Sequence, residues 1–440
     1  MREAQGHFSE ADGMMSGMGS RRARAAAPIF VFTAAVTFAA GAQANNPNQS
    51  WNPFRADTST VSSDRTYLRN FVRRWEANPP RGYPTLSRAN IAATKAAIAR
   101  YRKIVKSGGW PAVPKVKLAA GSNGRAVAAL HERLLKSGHL RSPSYYPTHF
   151  DYELEKALKR FQASNGLSPT GRTDKRTIAA LNIPAKVRLR QLRVNVARLR
   201  AHAKSSKSRY VVVNIPAQQI EAVSGDRVVS RHAGVVGKID RRTPILSSAI
   251  HELNFNPVWR LPPTVIREDL IPTGRRMQRQ KKDVLKKFGI DAYSGGRKLN
   301  SRKINWNSSQ PYQLSYRQEP GKDNPLGFVK INFHNSYSVY LHDTSSDRIF
   351  GRNFRAASSG CVRVANIETL AAFLLKDNKG WSKRRVLGLK KSGETKTVRL
   401  KRRTRLHLVY ITAWATEDGV VQFRRDMYRR DGVGSVAASY

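Results

Sequence analysis

The 440-residue chain carries 79 Lys and Arg against 30 Asp and Glu, a formal charge of +49, which biases it toward polyanions wherever it resides. Its length excludes a single ordinary core, so two or three domains are expected, and 40% hydrophobic with 9% aromatic content suits a folded protein. Charge alone leaves nucleic acid, an anionic membrane or an acidic cell wall as partner.

The N-terminus narrows that choice. Arg21, Arg22 and Arg24 precede an apolar run from Ala25 to Ala40, and Ala42-Gln43-Ala44 follows. This is the three-part form of a secretory signal with cleavage after Ala44. The run is short for a membrane span and holds Pro28, so a cleaved signal, residues 1–44, is read in preference to a retained anchor. Met14, Met15 or Met18 could be the true start, and Arg21-Arg22 is a weak twin-arginine hint. Export to the periplasm exposes the charge to peptidoglycan and an anionic envelope surface rather than to chromosomal DNA. No recognition helix, zinc spacing or aromatic RNA-binding motif restores nucleic acid as a partner. Export also makes the one cysteine, Cys361, unusual: it is a free thiol, an intermolecular link or a buried bystander.

After a polar, Pro-bearing lead, residues 45–118 read as a helical region that packs on the catalytic part. Ile91, Thr94, Ile98, Tyr101 and Val105 recur at helical spacing, and "SGGWPAVP" stops the helix. Residues 119–185 read as three short helices joined by Gly turns. Val127, Leu130, Leu134 and Leu135 form one face; Leu154, Leu158 and Phe161 form another; Thr173 is the expected cap of the third helix, which Pro184 stops. This stretch resembles the peptidoglycan-binding type 1 module. The resemblance rests on Gly121, Gly124, Val127 and Leu130, then Ala157, Arg160, Phe161, Gln162, Gly166 and Leu167, then Gly171, Thr177, Leu181 and Asn182.

Residues 186–208 read as a basic helical linker with a solvated charged face. From Arg209 the period changes to two. Val and Ile alternate with polar residues around Ser224-Gly225-Asp226, further strands follow in "FVKINFHNSYSVYLH" and "RLHLVYITAWATEDGVVQFRRDMY", and Asp418-Gly419 marks a hairpin. Residues 209–435 are therefore a β-rich domain. Prolines and a basic helix, Arg275 to Phe288, interrupt it over residues 258–326, a candidate lid. The fold expected is multidomain α+β.

Cys361 follows His342 by nineteen positions, at the end of "YLHDTSSDRIFGRNFRAASSGC". An imidazole can take the proton of a thiol and return it to a leaving amine. Gly360 permits a tight turn in which backbone N–H groups approach a developing oxyanion. Asp343 is not expected to orient its neighbour's ring, because adjacent strand residues face opposite ways; a backbone carbonyl or Tyr340 is expected instead. Arg363 either binds a substrate carboxylate or holds the loop by a salt bridge. No H-E-x-x-H, paired cysteine or acidic cluster implies a metal, and no cofactor is expected.

His342, Ser358, Gly360, Cys361 and Arg363 resemble the active-site motif of L,D-transpeptidases with a YkuD-type domain. Ser359 stands where many members have His, a departure typical of the large YcbB-like branch. Other stretches from Tyr83 to Gly432, "FNPVWRLPPTVIREDLIP" among them, resemble that branch too. The resemblance implies attack by Cys361 on the bond before the terminal D-Ala of a peptidoglycan tetrapeptide stem. A thioester would follow, resolved by the side-chain amine of a neighbouring stem. His342 would be general base and acid, and the Gly360 and Cys361 amides an oxyanion hole. Ser358, Ser359, Tyr340, Asn353, Arg355 and Trp259 are further substrate-binding candidates. The resemblance also implies acylation by carbapenems. Water in place of the amine would make a carboxypeptidase or hydrolase, and a non-catalytic wall-binding scaffold is the reading from a different class. Peptidoglycan stems and glycan are the expected partners; partners in cell-wall synthesis are not readable.

Overall fold

The computed structural model describes residues 65–202, 209–438 and 440. The expected signal segment lies outside the described residues, as do residues 45–64 of the helical region. Two helices open the described chain, α1 (Arg65–Ala77) and α2 (Arg88–Lys106). The predicted face of α2 is the packed one: Thr94, Ile98 and Tyr101 are buried, and Ser87 caps the helix by accepting from the Ala89 N–H.

Three helices follow, α3 (Arg125–Lys136), α4 (Tyr152–Ser164) and α5 (Lys175–Leu181). They enclose a core of Val127, Leu130, Leu134, Leu154, Leu158 and Phe161, the positions that the 3.6-residue period selects. The cap of α5 is Asp174, not Thr173: its carboxylate accepts from Thr177 N–H at 2.7 Å. Thr173 is spent elsewhere, its hydroxyl accepting from Leu118 N–H and donating to the Val116 carbonyl.

The expected solvated linker is an interior strut. Helix α6 (Ala185–His202) packs on α2 and buries Arg188, Leu189, Gln191, Leu192 and Asn195. Arg188 is accommodated because Gln191, Asn165 and the Tyr440 hydroxyl accept from its guanidinium and the Phe423 ring lies 4.3 Å away. Apart from Gln191, its partners lie outside this helix, so its charge looked like a solvated face.

The β-rich part contains β1 (Tyr210–Asn214), β2 (Gln219–Ser224), β3 (Arg227–Gly237), β4 (Leu246–Phe255), β5 (Trp259–Arg260), β6 (Ile290–Ser294), β7 (Arg297–Lys298) and β8 (Ser315–Gln318). It continues with β9 (Val329–Phe333), β10 (Leu341–His342), β11 (Ala356–Ser358), β12 (Val362–Val364), β13 (Lys396–Val409), β14 (Ala413–Ala415) and β15 (Val421–Phe423). Nine strands form one sheet in the order β11-β3-β12-β10-β9-β4-β13-β1-β2, and β3 also pairs with β2, so the sheet closes on itself. Strand β1 is buried on both faces. Val211 and Val213 enter the main core, while Tyr210 and Val212 meet Leu86 and Leu199 of the helical layer.

Between β4 and β9 the insertion builds its own four-stranded sheet, β5-β8-β6-β7, over a separate core that includes Ile271, Val284, Leu285 and Trp306. The basic helix expected there is two, Ile271–Arg279 and Val284–Phe288. Lys281 between them has a left-handed backbone, φ 54°, and Asp283 caps the second helix. "IREDL" forms a turn of π-helix, Ile266–Leu270.

An ion pair fastens α1 to the β-rich part. Glu76 meets Arg355 at 3.0 Å with both side chains almost fully buried. Glu76→Ala would leave an uncompensated buried guanidinium, so we expect a loss of about 3–5 kcal/mol. Chemical denaturation measures it; an unchanged midpoint would mean that water reaches this pair.

Candidate active site

Strands β10 and β12 are parallel neighbours, with Leu341 opposite Val362 and His342 opposite Arg363. Leu341, Val362 and Val364 point into the main core. Alternation therefore turns His342 and Arg363 to the opposite face, together with Tyr340 and Cys361 one pair earlier. On the other side β10 pairs with β9, which sets Lys330 opposite His342. The sheet thus gathers Tyr340, His342, Cys361, Arg363 and Lys330.

The turn that carries Cys361 is braced from below. Gly360 has φ 115°, a conformation that favours glycine. Its carbonyl accepts from the Thr243 hydroxyl at 2.8 Å, and that hydroxyl in turn accepts from the Gly237 N–H. Tyr428 closes the network, donating to the Gly237 carbonyl at 2.6 Å and accepting from Thr243 N–H. A side chain at Gly237 would strike the Arg241 carbonyl and Thr243 backbone. Ser358 is buried and structural: its hydroxyl donates to the Cys361 carbonyl and accepts from the Gly360 N–H at 3.2 Å. The Gly360 amide is therefore engaged within the turn, contrary to its expected part in an oxyanion hole, whereas no hydrogen bond engages the Cys361 N–H among the described residues.

Burial sets the electrostatics. It pushes the Cys361 thiol up, against the opposing influence of Tyr340, Lys330 and Arg363. Burial, then Arg363, lowers His342 to about 3, although the Asp343 and Pro325 backbones favour the charged ring. The resting pair is a neutral thiol and a neutral imidazole. Tyr340 lies edge-on to the imidazole, ring centroids 5.5 Å apart. Nδ1 of His342 is buried without a well-formed hydrogen bond among the described residues. Asp343 serves another purpose, accepting from the Phe328 N–H at 2.9 Å and leaving no room for a side chain at Gly327.

Not every candidate joins this group. Arg363 does, and it makes no ion pair among the described residues; its Nε is buried and unpaired. The loop salt bridge is not formed. Trp259 joins from the insertion, close enough to Tyr340 to bond its hydroxyl. Arg355 does not: it is 3% exposed and committed to Glu76 and the Gly234 carbonyl. Asn353 lines a separate cavity beside Arg355. Both precede Cys361 closely in sequence, but β11 lies across β3 from β12. Lys330 was missed, although Val329, Ile331 and Phe333 are core and alternation alone places Lys330 on the opposite face.

Arg241, also missed, ties the insertion to the reactive turn. It pairs with Glu268 and Asp269 of the π-helical turn at 2.8 Å each and donates to Ser359 Oγ at 3.0 Å. A cavity of about 520 Å3 opens against Ser359 and Gly360, with Thr264 and Glu268 on its far wall. Arg241→Ala should lower turnover on the order of 10-fold to 100-fold by loosening the turn. Initial rates against melting temperature test this; full activity would make the three contacts incidental.

A cysteine in the turn that enters β12 and a histidine on the neighbouring strand β10, under an inserted subdomain, define a candidate cysteine enzyme with a helical module attached. Residues 208–395 match the L,D-transpeptidase catalytic domain family, YkuD. Residues 123–181 match the family described as "Putative peptidoglycan binding domain". The chain therefore carries a YkuD-type L,D-transpeptidase catalytic domain and a peptidoglycan-binding type module. A protein of Haemophilus influenzae named "Putative L,D-transpeptidase" is 32% identical over 224 residues, 50% of this chain and 44% of that protein; the alignment spans less than half of the relative. Two solved structures are also similar. The L,D-transpeptidase of Xylanimonas cellulosilytica is 17% identical, covering 68% of this chain and 100% of that one with a TM-score of 0.22. The L,D-transpeptidase of Stackebrandtia nassauensis is 14% identical, covering 68% and 96% with a TM-score of 0.25. No helix among the described residues is long and apolar enough to cross a membrane.

Proposed function

We propose that the protein is an exported peptidoglycan L,D-transpeptidase in which Cys361 is the nucleophile and His342 the general base and acid. The observation that carries this reading is that Cys361 immediately precedes β12, the strand that runs parallel to β10 and pairs Arg363 with His342, with thiol and imidazole both held neutral by burial. As sulfur attacks the carbonyl of the third stem residue, its proton passes to the imidazole. The tetrahedral oxyanion forms beside the Cys361 N–H and the cations Lys330 and Arg363. Collapse breaks the bond to D-Ala, and the imidazolium protonates the departing amine, which leaves a thioester. The side-chain amine of a second stem then attacks the thioester, giving its proton to His342 and restoring the thiol. Arg363, without a carboxylate partner among the described residues, is the group we assign to a stem carboxylate, and Trp259 and Tyr340 form the adjoining wall.

The three-part N-terminal segment supports export to the periplasm, where a chain that keeps all but one unit of its +49 charge after losing residues 1–44 favours an anionic envelope. Full-length protein and a disaccharide-tetrapeptide substrate test the function. Released D-Ala with a cross-linked dimer supports transfer, and D-Ala without dimer means that water resolves the thioester. Neither product, with sacculi still bound, would leave a wall-binding scaffold.

A further inference from the structure

A second cavity, of about 240 Å3, lies where α1, the end of α4, α5 and the β14–β15 hairpin converge. Neither Cys361 nor His342 lines it, and its charge is unbalanced. Five arginines line it, Arg176, Arg231, Arg355, Arg424 and Arg425, against two acids, Glu76 and Asp418. Glu76 is committed to Arg355, Asp418 accepts from the Thr416 hydroxyl at 2.6 Å, and Arg231 has its own partner in Glu221 at 2.8 Å. Arg176, Arg424 and Arg425 are left without a carboxylate among the described residues.

Buried donors in this lining also lack acceptors. Arg424 is 8% exposed and Trp414 4% exposed, yet Nε of Arg424 and Nε1 of Trp414 have no hydrogen-bond partner among the described residues. Unpaired buried donors and clustered guanidinium groups are costly unless something meets them. The arrangement spans both halves of the chain: Arg424 donates to the Ser164 carbonyl at the end of α4, and any side chain at Gly166 would strike Arg424 Cδ at 2.9 Å. Burial, and then Arg176, lowers the proton affinity of Arg425, which places these two like charges within reach of each other. Trp75 and Tyr83 add flat apolar surface to the same cavity, the mixture of apolar walls and a few convergent polar groups that small-ligand sites use.

We propose that this cavity binds an oxyanion carried on a ligand of about one sugar ring, a muramyl residue of the glycan strand that bears no stem peptide and so keeps its lactyl carboxylate free. The oxyanion site stands on the cavity itself; the choice of a sugar rests on the peptidoglycan reading above, and free phosphate is the competing source of the same chemistry. Bound there, the ligand would bridge the helical module, α1 and the β-rich part.

Calorimetric titration of the full chain at fixed ionic strength tests the site with N-acetylmuramic acid, with N-acetylglucosamine, which lacks the lactyl carboxylate, and with inorganic phosphate. N-acetylmuramic acid should bind at least tenfold more tightly than the other two, and Arg176→Gln and Arg425→Gln should each weaken it about tenfold. Arg176 makes no hydrogen bond or ion pair among the described residues, so its variant should melt like the parent. Phosphate binding as tightly as the sugar acid would overturn the sugar assignment in favour of a free anion. No binding of either anion, equal binding of the uncharged sugar, or variants that bind like the parent would overturn the site. D-Ala release measured on the same preparation keeps the two readings apart. Release without probe binding sinks this site alone, and probe binding without release sinks the transpeptidase reading alone.

Discussion

Cys361→Ala should reduce D-Ala release by on the order of 1,000-fold or more, to the floor of the assay. No other thiol can substitute, because Cys361 is the only cysteine in the sequence. The change should be gentle structurally. Cys361 is half-buried, and the turn around it is held by Thr243, Ser358 and Tyr428 rather than by sulfur. A fall in activity at an unchanged melting temperature would therefore report chemistry. Intact-mass measurement gives the second readout. The parent should gain one acyl group from a defined stem peptide, or from a carbapenem, and the variant should gain none. A variant that still releases D-Ala, or still carries the adduct, would remove Cys361 from the mechanism.

Local chemistry pointed to this centre in the sequence only together with the family resemblance, because a thiol and a histidine at that spacing are weak evidence alone. A lone thiol after Ser-Ser-Gly, and a histidine closing a strand, both depend on neighbours in the chain, and strand alternation was enough to separate Asp343 from His342. Sequence distance misled where the fold is crossed by long-range pairs. Arg355 lies only six positions before Cys361, but it is drawn to Glu76, 279 residues away. The basic character of α6 suggested solvent because Asn165 and Tyr440, which accept from Arg188, are remote in the sequence. The cap of α5 was displaced by a single position because Thr173 and Asp174 both have capping side chains and only the tertiary demand of Leu118 decides between them. Lys330 was within reach of the alternation argument already applied to Asp343. Arg241 was not, since its role depends on the insertion folding back to present Glu268 and Asp269.

His342→Gln should reduce turnover by about 100-fold to 10,000-fold, the range expected for a lost general acid and base, and its pH profile separates catalysis from packing. Burial and Arg363 hold the His342 pKa at about 3, so the parent keeps a proton acceptor down to that region. Its acid limb should fall near pH 3 to 4, not near the ordinary histidine value of about 6.5. Because burial also raises the thiol, residual activity in His342→Gln should climb with pH as hydroxide takes over deprotonation. Stability supplies an independent sign. The unfolded chain protonates this histidine near 6.5 and the folded chain near 3, so its contribution is complete above the unfolded value and is lost as pH falls across that interval. His139, held near 3, and His232 and His407, held near 4, add to the same slope. His342→Gln should therefore flatten the stability-against-pH curve between about pH 3 and 6.5 without abolishing its slope. A parent whose acid limb sits at 6.5 would mean that water reaches the imidazole in the working enzyme, and the insertion held down by Arg241 would then be the element that opens.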